Sequence, residues 1–406
     1  MVAYTSHALA RGLVLRGKTG LTGNSLWLTL PQLFGLLVGG VSLKPLFKRF
    51  NIRTIVVTGT ACAALVISFL CALDKITHSS QPLSLGLYLP LNFLFGLSIS
   101  FIPSVVSTYL GTNFSGKKAN QYVSAVNGLY GLGGGIIPLI VAAPVFKVVK
   151  DTESFDAVRY FFFIALAFCV LCAVAGAMLN YRFTQDTKSD LSTTTKDTPE
   201  SRKLLWKLGA LIAACFFFYL IFESGANYGL SSKYVDDFDG FRREQKITLV
   251  RGLGLFFVVQ GLWRAGSPFL FKKVKFRYFI LFSAFFVAIG YGGLASQLLT
   301  KHVTLVYLVA VLLGIGIGNI WPVTFSFAQG ALESKRSTMA IIANMVTFIE
   351  LPVATAIVSF SLTGNHSARV AFAVVCTVLP FLIFGVMTLL IQVLKRHKLT
   401  HSDEQK

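Results

Sequence analysis

Apolar stretches about as long as a membrane is thick recur along the whole chain, with short polar segments between them. A helix needs roughly 20 mostly apolar residues to cross a bilayer. Hydrophobic residues make up 54% of the sequence and charged residues only 13%, whereas soluble domains carry about 25% charged residues. The sequence therefore predicts an all-α membrane protein. We count eleven predicted spans, at approximately 26–46, 53–73, 85–110, 123–147, 159–182, 205–230, 249–270, 277–298, 303–331, 338–362 and 369–394.

The formal net charge of +20 comes from short clusters of Lys and Arg between these spans. The clusters do not form a basic stripe with interleaved aromatic residues, so no nucleic-acid partner is expected. Cytoplasmic loops of membrane proteins are enriched in Lys and Arg. Placing the segment 44–53 in the cytoplasm gives that side about twice the basic residues of the other side, as this rule requires. The C-terminus is then cytoplasmic, and the visible N-terminus lies outside.

A basic segment, "LFKRFNIR" at 46–53, recurs as "LFKKVKFR" at 270–277. The spans 85–110 and 303–331 also correspond, because each contains glycines, then a proline, and ends near a small basic loop. This pattern predicts two parallel repeats, an organisation known from transporters. We expect an external N-terminal segment or remnant, an N-terminal half of five spans, a cytoplasmic linker, a C-terminal half of six spans and a cytoplasmic tail. Their bounds are 1–25, 26–182, 183–203, 204–395 and 396–406.

Two helical halves with a basic hinge after the second helix of each resemble the major facilitator superfamily. The family's Gly-x-x-x-Asp-Arg-x-Gly-Arg-Arg pattern is approximated by "GGVSLKPLFKRFNIRT", which lacks the Asp and has Asn51 where the second Gly belongs. The stretch "NGLYGLGGGIIPLI" is similar to the family's fifth helix, and "YLIFESGANYG" to the seventh helix of fucose:proton symporter relatives. The resemblance implies gating hinges formed by Gly40, Lys48, Arg49, Arg53, Lys272, Lys273 and Arg277.

The resemblance also implies that the first of the usual twelve helices is missing, since the first visible span matches the family's second helix. Either the sequence continues upstream of Met1, which we favour, or the helix has been lost. Three pairs of glycines spaced by four residues, of the GxxxG type, are expected to allow close helix contacts. They are Gly35/Gly39, Gly131/Gly135 and Gly314/Gly318.

Polar side chains inside the predicted spans are the candidates for a solute site, because such groups are costly in a bilayer. Tyr219, Glu223 and Asn227 share one face of a Phe-rich helix, which the resemblance places beside a central cavity. Aromatic rings and amides suit a sugar or polyol, although polar helix packing is the alternative for each residue. The predicted substrate-binding residues are Asn92, Asn127, Tyr130, Tyr219, Glu223, Asn227, Gln260, Asn319 and Trp321.

Two carboxyl groups inside the spans, those of Glu223 and Glu350, are candidates for carrying a coupling proton. Glu350 lies deep in its span, about 20 Å along the helix at 1.5 Å per residue. The alternative is a structural carboxyl held by a neighbouring helix. Arg251 and Arg264 stand near the ends of one span, and we expect them to extend toward the membrane surface. A gate for an anionic substrate is the other interpretation.

Motifs of catalysis are absent from the sequence. It contains neither a Walker A motif nor HExxH, and "DDFD" at 236–239 has no second acidic motif on the same side. The six cysteines lie in apolar runs, Cys169 and Cys172 included, and predict buried thiols rather than disulfides. No catalytic residue, metal or cofactor is therefore expected, and the chain is not expected to be an enzyme.

The sequence predicts a secondary active transporter that moves a small organic solute by alternating access, with a sugar-like solute first and protons as the candidate coupling ion. Efflux of drugs or metabolites is the alternative, and a non-transporting receptor or scaffold is an alternative of another class. The protein is expected to be a multi-pass monomer in the lipid bilayer of a plasma membrane or a bacterial inner membrane.

Overall fold

A computed structural model describes nine continuous stretches of the chain and some isolated positions. The stretches are 25–76, 81–113, 116–136, 155–178, 199–230, 243–270, 276–296, 302–331 and 366–403, and the isolated positions are 139, 346, 350, 353–354, 356–358 and 361. The basic pair at 272–273, the acidic loop at 236–239 and the predicted N-terminal segment up to residue 24 lie outside them.

The regular elements of the described stretches are helical throughout. They are α1 (Ser25–Arg49), α2 (Ile52–Ile76), α3 (Gln81–Asn113), α4 (Gly116–Ile136), α5 (Phe155–Ala177), α6 (Pro199–Tyr228), α7 (Arg243–Leu270), α8 (Phe276–Ala295), a 3₁₀ turn (Val303–Leu305), α9 (Val306–Gly318), α10 (Ile320–Ala331) and α11 (His366–Asp403). The all-α prediction is confirmed. Six stretches of these helices are long and apolar enough to cross a membrane.

The predicted spans each contain a described helix, apart from 338–362, which lies mostly outside the described residues. The span 303–331 differs from its prediction, because it consists of two helices separated at Asn319. Helix α6 begins at Pro199, within the predicted linker, as suits a residue that is favoured at the first helical position. Helix α11 continues to Asp403, beyond the predicted start of the tail.

The chain divides into two compact units. The first comprises Met1–Asn113 and Tyr130–Thr193. Its helices α1 and α3 pack backbone to backbone: a Cβ atom on Gly35 would lie 2.0 Å from the Phe93 carbonyl oxygen, and one on Gly96 would lie 2.0 Å from the Gln32 carbonyl oxygen. Only glycine permits this approach. A separate apolar core joins α2 to α3 and consists of Ile52, Ile55, Val56 and Val105.

The second unit comprises Phe114–Leu129 and Thr194–Lys406. Glycines again mark close contacts: a Cβ atom on Gly314 of α9 would lie 2.9 Å from the Val259 side chain of α7. Helices α6, α8 and α11 meet at Gly225, where a Cβ atom would lie 2.6 Å from the Tyr291 hydroxyl and 2.8 Å from the Phe372 ring. The Tyr291 hydroxyl also donates a hydrogen bond to the Phe222 carbonyl. This packing fixes the rotation of α6 within the unit and therefore the direction of its polar face.

Candidate functional site

Two pairs of polar side chains face each other across α6 and α7 in the second unit. Tyr219 and Glu223 are four residues apart on α6, and Gln260 and Arg264 are four residues apart on α7. Residues at this spacing lie on one face of a helix, one turn above the other. Because α6 presents one pair and α7 the other, four polar groups meet between the largely apolar, membrane-spanning parts of the two helices.

Arg264 lies at the centre of this arrangement. Its Nη2 atom donates to the Tyr219 hydroxyl at 2.7 Å and forms an ion pair with Glu223 Oε1 at 3.2 Å. Glu223 Oε1 also accepts a hydrogen bond of 2.8 Å from Gln260 Nε2. Arg264 Nε donates to the Gly318 carbonyl at 2.6 Å. We refer to Tyr219, Glu223, Gln260, Arg264 and the Gly318 carbonyl as the Arg264 cluster.

The charges of the Arg264 cluster balance, with one guanidinium against one carboxylate. The Arg264 side chain is 5% exposed and that of Glu223 is 19% exposed. The guanidinium is thus enclosed, whereas part of the carboxylate remains accessible. Electrostatic interactions are strong in so little solvent, and removal of one partner would leave the other as an uncompensated buried charge.

The burial of Arg264 differs from the sequence prediction, which had this side chain extending to the membrane surface. Arg264 turns inward because three acceptors on α6 and at the end of α9 match the fork of its N–H groups. The spacing of Gln260 and Arg264, equal to that of Tyr219 and Glu223, is the sequence signal that could have indicated it. Arg251 on the same helix is exposed.

Additional buried polar atoms lie on the same helices. Asn319 Nδ2 donates to the Trp263 carbonyl at 3.2 Å. Four other atoms, taken from α6, α7, α10 and the junction between α9 and α10, have no hydrogen-bond partner among the described residues. They are Asn227 Oδ1, Trp263 Nε1, Asn319 Oδ1 and Thr324 Oγ1. Buried polar groups are nearly always paired, so each of these atoms needs an additional partner.

Aromatic rings accompany these polar atoms. The Trp263 indole stacks on the rings of Phe279 and Phe282 in α8, with centroid distances of 6.4 and 6.0 Å. The Trp321 indole stacks on Phe325 at 4.8 Å. Together with the Arg264 cluster, these rings give the second unit a set of donors, acceptors and flat apolar surfaces that suits a small polar solute.

The sequence profile of the Major Facilitator Superfamily matches residues 12–355. The chain belongs to the major facilitator superfamily. No curated protein matches it. Membership and fold indicate a secondary transporter rather than an enzyme, and they establish an integral, multi-pass protein of a plasma membrane or a bacterial inner membrane.

Solved major facilitator structures share the fold. The E. coli fucose:proton symporter FucP has a TM-score of 0.64 at 14% identity, over 94% of this chain and 94% of its own. The xylose transporter XylE from E. coli has a TM-score of 0.69 at 11% identity, over 94% of this chain and 93% of its own. The human organic anion transporter MFSD10 has a TM-score of 0.58 at 13% identity, over 94% and 83%. The predicted major facilitator fold is confirmed.

In this major facilitator protein, the structure joins only part of the predicted substrate set. Tyr219, Glu223 and Gln260 are bonded in the Arg264 cluster, whereas Asn127 Nδ2 bonds the Val123 carbonyl of its own helix at 2.8 Å. Tyr130 is 41% exposed, in the first unit. Asn92 is fully buried in that unit, and neither side-chain amide atom has a partner among the described residues.

Glu350, the second predicted proton carrier, is half-buried and helical. Its Oε2 atom has no partner among the described residues, and its carboxyl lies within electrostatic range of the Cys215 thiol on α6. Cys215 and Glu223 are eight residues apart on α6, about 12 Å at 1.5 Å per residue. Of the two predicted proton carriers of this major facilitator protein, Glu223 therefore lies on α6, and Glu350 lies within electrostatic range of an earlier turn of the same helix.

The predicted gating hinges are described only in part. Gly40 is buried in α1, Arg49 is exposed at the end of that helix, and Arg53 is half-buried in α2. The structure describes the backbone of Lys48 and Arg277 but not their side chains. Lys272 and Lys273 lie outside the described residues. Among the described residues, His, Cys, Asp and Glu do not gather in groups of three or more that could hold a metal ion.

Proposed function

We propose that the protein is a proton-coupled symporter of a small, neutral, hydroxyl-rich solute, with sugars as the first class. The observation that carries this proposal is the charge-balanced Arg264 cluster, together with the unpartnered polar atoms on the same helices. A hydroxyl group both donates and accepts, so a polyhydroxylated solute could complete the hydrogen bonds of Trp263 Nε1 and Asn319 Oδ1.

The charge balance favours a neutral solute over an anion. The guanidinium of Arg264 is already paired with Glu223 at 3.2 Å and enclosed on the α6 side by Tyr219. An anion would have to displace the carboxylate from a partner that is almost fully buried. Desolvating an additional charge there would be costly unless it were paired equally well.

The aromatic side chains fit the same class of solute. The faces of sugar rings are apolar, while their edges carry hydroxyl groups, so stacked indoles beside amides offer complementary surfaces. Trp263 and Trp321 provide such indoles next to Asn319. The structurally similar proteins FucP and XylE are named as a fucose:proton symporter and a proton:xylose symporter, which agrees with this proposal without identifying the sugar.

Glu223 is the proposed site of proton coupling. Its side chain keeps 19% of its surface exposed while bonded to Arg264 and Gln260. Proton uptake would remove the negative charge that Arg264 now faces, and the change in this pair is what would link proton binding to solute binding. Alternating access, the mechanism of secondary transporters built from repeats, would then move both across the membrane.

The proposal is tested by transport in proteoliposomes that contain the full chain. A labelled panel of neutral sugars, polyols, organic anions and hydrophobic drugs is offered with and without an inwardly directed proton gradient. We expect gradient-driven accumulation of a neutral hydroxylated solute, abolished by a protonophore. Movement of anions or drugs alone would replace the proposal with metabolite or drug efflux, and absence of transport for the whole panel would favour a receptor or scaffold.

Glu223→Gln separates coupling from binding. The amide oxygen of Gln still accepts from Arg264 and Gln260 but does not take up the coupling proton. We expect this variant to lose accumulation while retaining exchange of labelled for unlabelled solute, which needs no net proton movement. Glu350→Gln is the matched variant and should keep accumulation. Retained accumulation in the Glu223→Gln protein would end the coupling role assigned to Glu223.

A further inference from the structure

The junction between α9 and α10 contains a backbone carbonyl without its usual helical donor. Helix α9 ends at Gly318 and α10 begins at Ile320, with Asn319 between them. In a continuous helix, the Gly318 carbonyl would accept the N–H of residue 322, but residue 322 is proline and has no N–H. The regular pattern resumes one residue later, where Val323 N–H donates to the Asn319 carbonyl at 3.2 Å.

The Gly318 carbonyl instead accepts from a side chain on another helix. Arg264 Nε donates to it at 2.6 Å, in a buried environment. A buried carbonyl without a donor is costly, and the hydrogen bond from Arg264 supplies the donor that the Gly318 carbonyl lacks at the helix break. Glycine at 318 allows the approach, because a Cβ atom there would already lie 3.2 Å from the Gln260 carbonyl oxygen and 3.3 Å from Trp263 Cδ1.

The bond at Nε also fixes the direction of the remaining donors. A guanidinium is planar, so once Nε is held by the Gly318 carbonyl, the position of Nη2 is largely determined. Nη2 is the atom that donates to Tyr219 at 2.7 Å and to Glu223 at 3.2 Å. The position of the Glu223 carboxylate thus depends on the Gly318 carbonyl, which is free to accept from Arg264 because residue 322 lacks an N–H.

We propose that Pro322 is a positioning residue for transport: it frees the Gly318 carbonyl, which holds Arg264 in the orientation that pairs with Glu223. Pro322 acts through Arg264 and needs no contact with solute or proton. The consequence for transport rests on the coupling role proposed for Glu223. The consequence for Arg264 does not, and it can be measured on the protein without any substrate.

The other titratable groups packed on α6 have different contacts. Tyr291 of α8 donates to the Phe222 carbonyl and also hydrogen-bonds with Cys376 of α11. Glu350 lies within electrostatic range of Cys215, which is itself about two helical turns from Glu223 on α6. Since Pro322 bears on Glu223 only through the Arg264 bonds, its removal should alter transport in the same sense as a change at Arg264 itself.

Pro322→Ala tests the proposal by restoring an N–H that competes for the Gly318 carbonyl. We expect the solute KM to rise roughly tenfold, the size of effect that follows from weakening one hydrogen bond to a charged group. The pH profile, meaning the dependence of the transport rate on pH, should also shift. Pro380→Ala is the matched control, since it removes a proline from the interior of α11. It should leave both KM and the pH profile unchanged.

A double-mutant cycle identifies the route of the effect. In the Arg264→Gln background, Pro322→Ala should have no additional effect on the solute KM or on the pH dependence of transport, because the residue through which it acts is gone. Arg264→Lys, which keeps the charge but lacks Nε, should shift the pH profile in the same direction as Pro322→Ala. Equal effects of Pro322→Ala with and without Arg264, or an unchanged pH profile, would overturn the proposal.

An NMR measurement separates failure of this inference from failure of the proposed function. With ¹⁵N-arginine incorporated, the Nε–H signal of Arg264 is assigned by its disappearance in Arg264→Lys protein. We expect that signal to move in Pro322→Ala or, if that variant does not fold, in Pro322→Ser, and not in Pro380→Ala. An unmoved signal contradicts the inference, whereas a moved signal with no transport of any solute contradicts only the proposed function.

Discussion

The two units use the same means of bringing helices together but differ in what they place at the contacts. In the first unit, α1 and α3 approach through Gly35 and Gly96, and the atoms met are backbone atoms. In the second, α7 and α9 approach through Gly314 and Gly318, and the Arg264 cluster occupies the end of that contact. Close packing alone therefore does not create a site. Among the described residues, the second unit differs by one buried cation, Arg264, and by the helix break whose carbonyl accepts its hydrogen bond.

The largest expected effect is that of Arg264→Ala. The substitution leaves the Glu223 carboxylate without its cation and the Gly318 carbonyl without its donor. Loss of one partner from a buried ion pair costs about 3–5 kcal/mol. The midpoint of thermal unfolding in detergent should fall accordingly. Arg251→Ala, which removes an exposed arginine from the same helix, should leave the midpoint unchanged, and equal midpoints for the two variants would show that the cluster does not stabilise the second unit.

The first unit should respond next most strongly, to Gly35→Ala. The added Cβ atom would lie 2.0 Å from the Phe93 carbonyl oxygen, and a backbone atom cannot rotate away. We expect destabilisation of about 1–3 kcal/mol, typical of overpacking. Gly86→Ala is the matched control on α3, where a Cβ atom would meet nothing within 4 Å. If Gly35→Ala were as stable as Gly86→Ala, the contact between α1 and α3 would be looser than described.

A smaller effect, on transport rather than stability, is expected from Trp263→Phe. Phenylalanine keeps an aromatic ring against Phe279 and Phe282 but removes the unpartnered Nε1 donor. The solute KM should rise roughly tenfold, equivalent to about 1.4 kcal/mol of binding, with the unfolding midpoint unchanged. Trp206→Phe, at an indole that is 75% exposed on α6, serves as control and should leave KM as it is.

The smallest effect is expected at the Cys169 and Cys172 pair of the first unit. Both thiols are free, and Cys172 is exposed on α5. Cys172→Ala should alter stability by no more than about 0.5 kcal/mol, as surface substitutions usually do, and transport should not respond to reductants. Sensitivity to reductant that disappears in Cys172→Ala would contradict this prediction and give the first unit a redox role.

Much of the fold could be predicted because span length and apolar composition dictate it. Each long apolar run had one outcome in a bilayer, a helix, and the glycines of α1 and α9 indicated where helices approach. The break at Asn319 was missed, although Pro322 stands in the sequence four residues after Gly318. Counting apolar residues does not register which carbonyl loses its donor.

The candidate site was predictable residue by residue but not as an arrangement. Tyr219, Glu223 and Gln260 were identified because they are polar within apolar spans. Their bonding partner, Arg264, was assigned to the surface because a long basic side chain near the end of a span usually extends there. Glu223 and Arg264 are 41 residues apart in sequence, and their pairing depends on how α6 and α7 are rotated, which a single sequence does not specify.

Gly225 on α6 restricts how this protein can diverge from its relatives. Any side chain there would collide with Tyr291 of α8 or Phe372 of α11, so a substitution at one of the three positions requires a compensating change at another. The Tyr291 hydroxyl in turn donates a hydrogen bond to the Phe222 carbonyl, which fixes the position of its ring. In chains that keep the orientation of Glu223, we expect Gly225, Tyr291 and Phe372 to be inherited together. A search for this triplet would identify family members with the same arrangement even where overall identity has fallen too low to align them.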